Sequence, residues 1–317
     1  MTDAYATAMD LLLAERPTLD DVQHATALLE TAAGQGHSEA SERLSLIEAL
    51  GSARPPNWDR ALDTLARAAA QGSSLAREQI LLLANNAVDP KIPADADDQF
   101  WNSLRESIPL ERRMRPGDKQ GLSDSPRIRL IRGFATPAEC RWFTGLAREQ
   151  LAPATVFDKE SGDQVTNSAR DNSFFVLRLA EMNLVTEVMR HRISAATNLP
   201  VPLFEPSQIL HYSVGQQFKP HHDFLDPSNP AYHDDLARFG QRIATFLLYL
   251  NDGYEGGETS FPKIGFSFRA QQGDALFFAN VTRDGAPDFL TLHAGISPTS
   301  GEKWVLSQWI RDRFPGA

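Results

Sequence analysis

The chain has 317 residues, which is enough for two domains of ordinary size. Hydrophobic residues make up 42% and charged residues 23%, a composition typical of globular proteins with a sizeable core. The formal net charge of −10 repels nucleic acid and anionic lipid over most of the surface, so neither is expected as a partner.

Cysteine content and the first residues predict the compartment. The single cysteine, Cys140, cannot form an intramolecular disulfide, which suits a reducing compartment and excludes a zinc site built from several cysteines. The stretch MTDAYATAMDLLLAERP has no basic region ahead of its apolar residues, so no signal peptide is predicted. No apolar run approaches the ~18 residues of a membrane span. We therefore expect a cytoplasmic protein without a membrane partner.

The N-terminal part is rich in alanine and leucine at helical spacing and contains an internal repeat. Residues 24–36, HATALLETAAGQG, align with residues 60–72, RALDTLARAAAQG, at an offset of 36 residues. A period of this length is typical of stacked helix pairs. The segment resembles Sel1-like repeats, which are relatives of tetratricopeptide repeats. The resemblance implies either a plain helical stack or a docking surface for a protein partner.

A change in composition after the repeats predicts a domain boundary. Residues 89–125 are rich in proline, glycine and acidic residues and are predicted to be a linker, with a short helix from Trp101 to Leu110. The strand Arg127–Ile131 follows, and Thr136 is the expected N-cap of a helix with Pro137 at its first position. The predicted division is a helical-repeat segment at 1–88, a linker at 89–125 and a β-rich domain at 126–317.

Short strand-like runs dominate the rest of the chain, apart from a helix predicted at 181–197. Glycine, proline and asparagine separate these runs, which lie at 207–214, 243–250, 266–270, 274–278 and 303–310. Strands at such spacing predict a barrel or a double-sheet jelly roll, with helices packed on one face of the sheet. The chain as a whole is predicted to be α+β.

The stretch QFKPHHDF, residues 217–224, places two histidines beside an aspartate. Side chains alternate between the faces of a strand, so His221 and Asp223 point one way and His222 points the other. This pair needs a third ligand, and His293 is the candidate. Two imidazoles and one carboxylate with open positions are typical of non-haem Fe(II) oxygenases, although catalytic zinc can use the same ligand types.

A lysine follows the candidate ligand His293 and begins an apolar strand. This residue, Lys303, is costly to bury unless it meets an anion, and the distal carboxylate of 2-oxoglutarate is such an anion. Strand parity places Lys303 on one face with Val305, Ser307 and Trp309. The lysine therefore favours iron over zinc.

Five motifs follow one another between residues 211 and 304, and the resemblance that they carry runs from about residue 128 to residue 313. They are HYSVGQQFKPHHD at 211–223, GQRIATFLLYLND at 240–252, GGETSFP at 256–262, GDALFFAN at 273–280, and HAG with GEKW at 293–295 and 301–304. Together and in this order they resemble the prolyl 4-hydroxylase family of 2-oxoglutarate- and Fe(II)-dependent dioxygenases.

The resemblance implies a fold, a set of cofactors and a metal site. The fold is a double-stranded β-helix with supporting helices. By matched position, His221, Asp223 and His293 bind Fe(II), and Lys303 binds the distal carboxylate of 2-oxoglutarate. The co-substrates are 2-oxoglutarate and O2, with ascorbate as a reductant. No catalytic side chain beyond the iron site is predicted.

The resemblance assigns further residues, each of which has a structural alternative. Tyr212 and Thr259 are expected to contact 2-oxoglutarate, although Tyr212 could equally be plain core. Arg170 corresponds to a substrate-side arginine, and a surface salt bridge is the competing interpretation. A surface imidazole is the simplest interpretation of His222.

Three hypotheses for function remain at this point. The first is hydroxylation of prolyl residues in a peptide or protein. The second is the same chemistry on a free amino acid or another small molecule. The third is a catalytically idle scaffold that acts through its helical repeats, against which the intact set of ligands and Lys303 argue.

Overall fold

The computed structural model describes residues 3–85, 92–93, 96–153, 156–157, 164–165 and 170–314. Its α-helices are α1 (Ala4–Leu12), α2 (Leu19–Gly34), α3 (Ser38–Leu50), α4 (Trp58–Ala70), α5 (Ser74–Asn85), α6 (Asp98–Glu106), α7 (Leu110–Met114), α8 (Pro137–Arg148), α9 (Leu184–Thr197) and α10 (His233–Phe239). Its strands are β1 (Lys119–Asp124), β2 (Arg127–Ile131), β3 (Ala152–Pro153), β4 (Val156–Phe157), β5 (Gln164–Val165), β6 (Ser173–Leu177), β7 (Ser207–Tyr212), β8 (Phe218–His221), β9 (Arg242–Tyr249), β10 (Glu255–Gly256), β11 (Thr259–Phe261), β12 (Phe266–Phe268), β13 (Ala275–Ala279), β14 (His293–Gly295), β15 (Pro298–Ser300) and β16 (Lys303–Arg311).

The chain forms two compact units, one helical and one β-rich. The helical unit comprises residues 1–115 and 179–192, and the β-rich unit comprises residues 116–178 and 193–317. No helix in the described residues is long and apolar enough to cross a membrane. The predicted division into a repeat segment ending at residue 88 and a β-rich domain beginning at residue 126 stays a prediction.

The helical unit contains the two predicted helix pairs, α2 with α3 and α4 with α5. The first helix of each pair, α2 or α4, is followed by a glycine at positive φ, which is +91° at Gly36 and +103° at Gly72. The amide one residue further on then returns to the helix, from His37 to the Ala32 carbonyl and from Ser73 to the Ala68 carbonyl, both at 3.0 Å. The helical character predicted from the repeat is confirmed, and its identity as a Sel1-like repeat stays a prediction.

The helical unit also binds the segment before α9. The Arg43 guanidinium donates to the carbonyl oxygens of Leu179, Ala180 and Met182 at 2.8, 2.9 and 3.1 Å. The Gln79 side-chain oxygen accepts from the amide of Leu184 at 2.8 Å, which satisfies a free donor at the start of α9. Buried side chains of the repeats therefore hold a segment that is remote in sequence.

The β-rich unit consists of two main antiparallel sheets with a shared apolar core. The strand order is β1-β2-β13-β9-β16-β7-β6-β3 in the larger sheet and β12-β11-β14-β8 in the smaller sheet. Side chains of β2, β9, β13 and β16 meet those of β11 and β12 in this core, which includes Leu130, Leu247, Phe261, Phe268, Leu276, Phe278 and Val305. Two sheets packed over such a core form a jelly roll, so the predicted α+β fold is confirmed.

The stretch predicted as a linker has more regular structure than expected. It contains α6 and α7 and the whole of β1, which pairs with β2 as the edge strand of the larger sheet. Four of the six residues of β1 are exposed, so this strand has no apolar alternation that would indicate it in the sequence. For that reason no strand was predicted in this part of the chain.

The helix predicted after β2 begins as expected. The Thr136 hydroxyl accepts from the Glu139 amide at 3.2 Å, and the Glu139 carboxylate accepts from the Thr136 amide at 2.9 Å. Pro137 occupies the first helical position. This reciprocal cap explains why α8 starts where it does.

Candidate active site

Strand pairing brings the three predicted metal ligands together. His221 ends β8 and His293 begins β14, and these residues lie directly opposite each other in the smaller sheet. His221 Nε2 lies 3.5 Å from Asp223 Oδ1, and His293 Nε2 lies 3.5 Å from Asp223 Oδ2. One ligand atom from each residue falls within 4.8 Å of the others, close enough to share one ion.

The other nitrogen of each imidazole is held by a backbone carbonyl. His221 Nδ1 lies 2.8 Å from the Lys219 oxygen, and His293 Nδ1 lies 2.9 Å from the Thr291 oxygen. A carbonyl can only accept, so each Nδ1 carries the proton and each Nε2 presents a lone pair to the centre. This set of two nitrogens and one carboxylate oxygen fits Fe(II).

The Asp223 carboxylate is oriented by two residues that the sequence analysis did not single out. The Thr245 hydroxyl donates to Asp223 Oδ2 at 2.6 Å, and the Asn280 side-chain amide donates to the Thr245 hydroxyl at 2.9 Å. Both residues lie inside motifs quoted above, and Thr245 lies two residues before the core residue Leu247, so the two side chains share a face of the strand. This alternation could have indicated that Thr245 faces the interior.

Burial and charge set the protonation of this cluster. Burial raises the pKa of the Asp223 carboxyl, but the neighbouring His293 and His221 imidazoles outweigh it and bring the pKa well below its usual range. Burial lowers the pKa of His293 to about 4. At neutral pH the cluster therefore presents a carboxylate and a neutral imidazole, the forms that bind a metal ion.

His222 lies outside the cluster. Its Nε2 is 3.2 Å from the carbonyl oxygen of Phe289, and its ring packs against those of Phe224 and Phe289. The structure thus brings His221 and Asp223 together and turns His222 away, in agreement with the alternation argument.

A cavity of the β-rich unit begins at this cluster. Side chains of both sheets line it, and the wall on β16 contains Lys303, Val305, Ser307 and Trp309. The predicted parity of this strand is confirmed. All seven residues singled out from the sequence border the cavity, namely Arg170, Tyr212, His221, Asp223, Thr259, His293 and Lys303.

Lys303 is buried in the wall of the cavity without a counter-ion. It is 2% exposed and lies opposite Tyr212 in the pairing of β16 with β7. Its Nζ lies 5.2 Å from the Tyr212 ring and 5.8 Å from the Tyr249 ring, and within the described residues it makes no hydrogen bond or ion pair. Burial lowers the pKa of Lys303 to about 7, against a weaker opposing effect of Glu258. This end of the cavity is therefore prepared for an anion.

Two hydroxyl groups accompany the lysine. The Tyr249 and Thr259 oxygens are 2.7 Å apart, and burial raises the pKa of Tyr249 above its usual value. The Tyr249 side chain is fully buried, and its hydroxyl is hydrogen-bonded to that of Thr259, which lines the cavity. Burial also raises the pKa of Tyr212 to about 12, so this phenol stays protonated at neutral pH.

The glycine of the HAG motif leaves room for one of these hydroxyls. A Cβ placed on Gly295 would lie 3.2 Å from the Tyr212 oxygen and 3.4 Å from its ring. The small residue therefore allows the phenol to approach the strand that carries His293.

Arg170 lies in the cavity wall and is only 7% exposed. Its guanidinium donates to the side-chain oxygens of Asn172 at 3.1 Å and Gln208 at 3.3 Å. It also packs over the ring of Phe218, which in turn stacks on His221. The alternative of a surface salt bridge is wrong, because aromatic and amide groups enclose this side chain.

A further cationic group supports the Trp309 wall. The Arg242 guanidinium packs over the Trp309 ring at 3.7 Å and forms a two-pronged ion pair with Glu205 at 2.6 and 2.9 Å. The sequence analysis placed Trp309 on the correct face but gave no role to Arg242 or Glu205. The contacts of these residues join distant parts of the sequence. Only the position of Arg242 inside the motif at 240–252 could have indicated a role for it.

Comparison with known proteins agrees with this geometry. A family model described as the 2OG-Fe(II) oxygenase superfamily matches residues 207–311. Prolyl 4-hydroxylase 1 of Arabidopsis thaliana is 36% identical over 207 residues, which cover 61% of this chain and 71% of that protein. Prolyl 4-hydroxylase 5 of the same plant is 35% identical over 222 residues, which cover 61% and 74%.

A solved structure resembles the same part of the chain. The viral collagen prolyl hydroxylase of Paramecium Bursaria Chlorella virus-1, in complex with 2OG, is 25% identical, and the match covers 60% of this chain and 98% of that chain with a TM-score of 0.46. The family uses Fe(II), 2-oxoglutarate and O2, and the donor set described above fits that metal. The chain belongs to the prolyl 4-hydroxylase family of 2-oxoglutarate- and Fe(II)-dependent oxygenases.

Proposed function

We propose that this protein hydroxylates prolyl residues of a peptide or protein, with Fe(II), 2-oxoglutarate and O2. The observation that carries the proposal is one cavity with the His221, Asp223 and His293 cluster and the buried Lys303 in its wall. Further support comes from the relatives, which are named prolyl 4-hydroxylases.

The proposed metal ligands are His221, Asp223 and His293. Bound iron supplies an oxidation in which 2-oxoglutarate loses CO2 and one oxygen atom of O2 enters succinate while the other enters the prolyl C–H bond. The protein holds its ligands in the competent form, since the Lys219 and Thr291 carbonyls direct both Nε2 lone pairs inward.

The proposed site for 2-oxoglutarate lies at Lys303. Its ammonium would pair with the distal carboxylate, and the Thr259 hydroxyl would donate to the same group while it accepts from Tyr249. Tyr212 is proposed to contact the co-substrate nearer the metal, because its ring lies between Lys303 and the strand of His293. The supporting observation is a buried cation that, in the described part of the chain, has no acidic partner within hydrogen-bonding distance.

Arg170 is proposed to face the substrate. Its burial in the cavity wall and its stacking beside Phe218 and His221 place a fixed donor near the proposed iron ligands. A peptide carbonyl is a suitable acceptor for such a group.

The test combines two assays on the purified protein. Succinate release with Fe(II) and 2-oxoglutarate reports the oxidation, and mass spectrometry of a peptide library reports a gain of one oxygen on proline. His221→Ala should abolish both signals, whereas His222→Ala, the adjacent matched control, should keep them. Oxygen gained only by a free amino acid or another small molecule would replace the peptide proposal. No turnover and no iron binding would favour a scaffold.

Other features are proposed from the sequence alone. They are ascorbate as a reductant, a cytoplasmic location, the Sel1-like identity of the repeats, and the division into segments 1–88, 89–125 and 126–317. A protein partner is also proposed to dock on the helical repeats. Such a partner would use a face other than that of Arg43 and Gln79, because these side chains already hold residues 179–184.

A further inference from the structure

A second concave site lies on the β-rich unit, on the opposite face of the larger sheet. We call it the outer crevice and define it by Lys119, Arg127, Arg129, Leu199, Ala244, Phe277 and Ala279. Its volume is about 410 Å³, and small-molecule pockets usually measure ~300–1,000 Å³. Ala244 and Phe277 alternate with Thr245 and Phe278, which face inward, so the crevice is separate from the iron cavity.

Small side chains create the crevice. Ala244 of β9 and Ala279 of β13 lie directly opposite each other, so two methyl groups meet where larger residues would fill the surface. Phe277 borders this notch on one side and Val281 borders it on the other. The floor is therefore apolar and has room for a carbon skeleton.

Three basic side chains line the rim of the crevice. Strand β2 directs Arg127 and Arg129 to the same face, and Lys119 adds a third cation from β1. Arg129 is paired with Asp124 at 2.9 Å, but Arg127 donates to the Val281 carbonyl at 3.0 Å and has no acidic partner in the described part of the chain. Among the described residues that line the crevice none is acidic, although the protein has a net charge of −10.

We propose that the outer crevice binds a small anion with an apolar body, namely a carboxylate attached to an aromatic or aliphatic group. The body would lie on Phe277 and in the notch of Ala244 and Ala279, and the carboxylate would meet the free donors of Arg127. The charge of the rim selects the anion, and the carbon floor selects the body. This site goes beyond the proposed function, since it shares no residue with the iron cavity.

The test uses phenylbutyrate and its neutral counterpart phenylbutanol as probes. Titration into the full-length protein with isotope-labelled alanine methyl groups should shift the NMR signals of Ala244 and Ala279 in a saturable way. Because phenylbutanol cannot form the charge–charge hydrogen bond, it should bind at least roughly tenfold more weakly than phenylbutyrate. Equal affinity for both probes would overturn the proposal, as would the absence of saturable shifts at these two methyl groups.

Three variants separate the contributions of shape and charge. Ala279→Leu should fill the notch and lower the affinity for phenylbutyrate at least about tenfold. Arg127→Gln should remove the preference for phenylbutyrate over phenylbutanol, and Lys263→Gln, which removes a cation elsewhere on the surface, should not. If Ala279→Leu fails to fold, the Arg127→Gln comparison still decides the outcome. Unchanged affinity in Arg127→Gln would overturn the proposal, and so would binding confined to vesicles of anionic phospholipid.

Discussion

The metal end and the lysine end of the cavity differ in how far the protein itself satisfies the charge that it buries. At the metal end, Asp223 accepts from Thr245, and both proposed histidine ligands are fixed by backbone carbonyls. At the other end, Lys303 is equally buried, and its Nζ lies near the rings of Tyr212 and Tyr249 but makes no hydrogen bond or ion pair within the described residues.

This difference shows which end is complete without its ligand. The metal end holds a carboxylate whose pKa is low and an imidazole whose pKa is about 4, so its ligands are ready for a cation at neutral pH. The lysine end keeps a cation whose pKa is lowered to about 7, and only an incoming anion can satisfy that charge. Four changes should separate the two ends.

Removal of a metal ligand should have the largest effect. Asp223→Ala deletes the carboxylate between the two imidazoles, and we expect iron affinity to fall by more than about a hundredfold, beyond the range for outer-shell partners. Turnover should fall below detection. Iron titration by calorimetry gives the measurement, and His222→Ala is the neighbouring control that should bind normally. Normal iron binding by Asp223→Ala would contradict the proposed site.

Removal of the buried cation should act only at the other end. We expect Lys303→Met to raise the KM for 2-oxoglutarate on the order of a hundredfold, about 3 kcal/mol, because a desolvated ion pair is lost. Iron affinity should not change. The melting temperature without co-substrate should rise, since the substitution replaces an unpaired buried charge by an apolar chain of similar length. Lys303→Ala should show the same KM effect, and an unchanged KM in both variants would move the carboxylate site elsewhere.

A pair of threonine substitutions should distinguish the ends most directly. Thr245→Val removes the hydroxyl that orients Asp223, and it should weaken iron binding by roughly 10- to 100-fold. Thr259→Val removes the hydroxyl beside Tyr249 and should weaken 2-oxoglutarate several-fold while iron binding stays normal. Both variants keep the β-branched shape of the side chain. Identical effects of the two variants on iron would show that the ends are not independent.

The pH dependence of co-substrate binding tests the lysine end without a substitution. Because the pKa of Lys303 is about 7 in the free protein, the ammonium is lost as pH rises above 7. Binding of 2-oxoglutarate must then take up a proton, so its affinity should fall by up to about tenfold per pH unit above 7. Because the unfolded chain holds this proton more tightly, the free energy of unfolding of the free protein should increase as pH rises above 7. Calorimetry in buffers of different ionisation enthalpy measures the proton uptake, and its absence would argue against Lys303.

The parts of the fold that were predicted correctly are those with strong local patterns. The reciprocal cap at Thr136 and the apolar run of β16 depend on a few adjacent residues, and both were found where expected. Strand β1 was missed because most of its side chains are exposed at a sheet edge. The attachment of residues 179–192 to the helical unit depends on Arg43 and Gln79, which no pattern in that segment could indicate.

The sequence by itself determined the types and order of the proposed metal-binding residues and the faces that they share. His221 and Asp223 could be paired and His222 set aside because side chains alternate along a strand. Only the tertiary structure decided that His293 lies opposite His221, since two strands far apart in the chain must pair to bring them together. It also decided that Lys303 forms no ion pair within the described residues, because the partners of a buried group come from other strands.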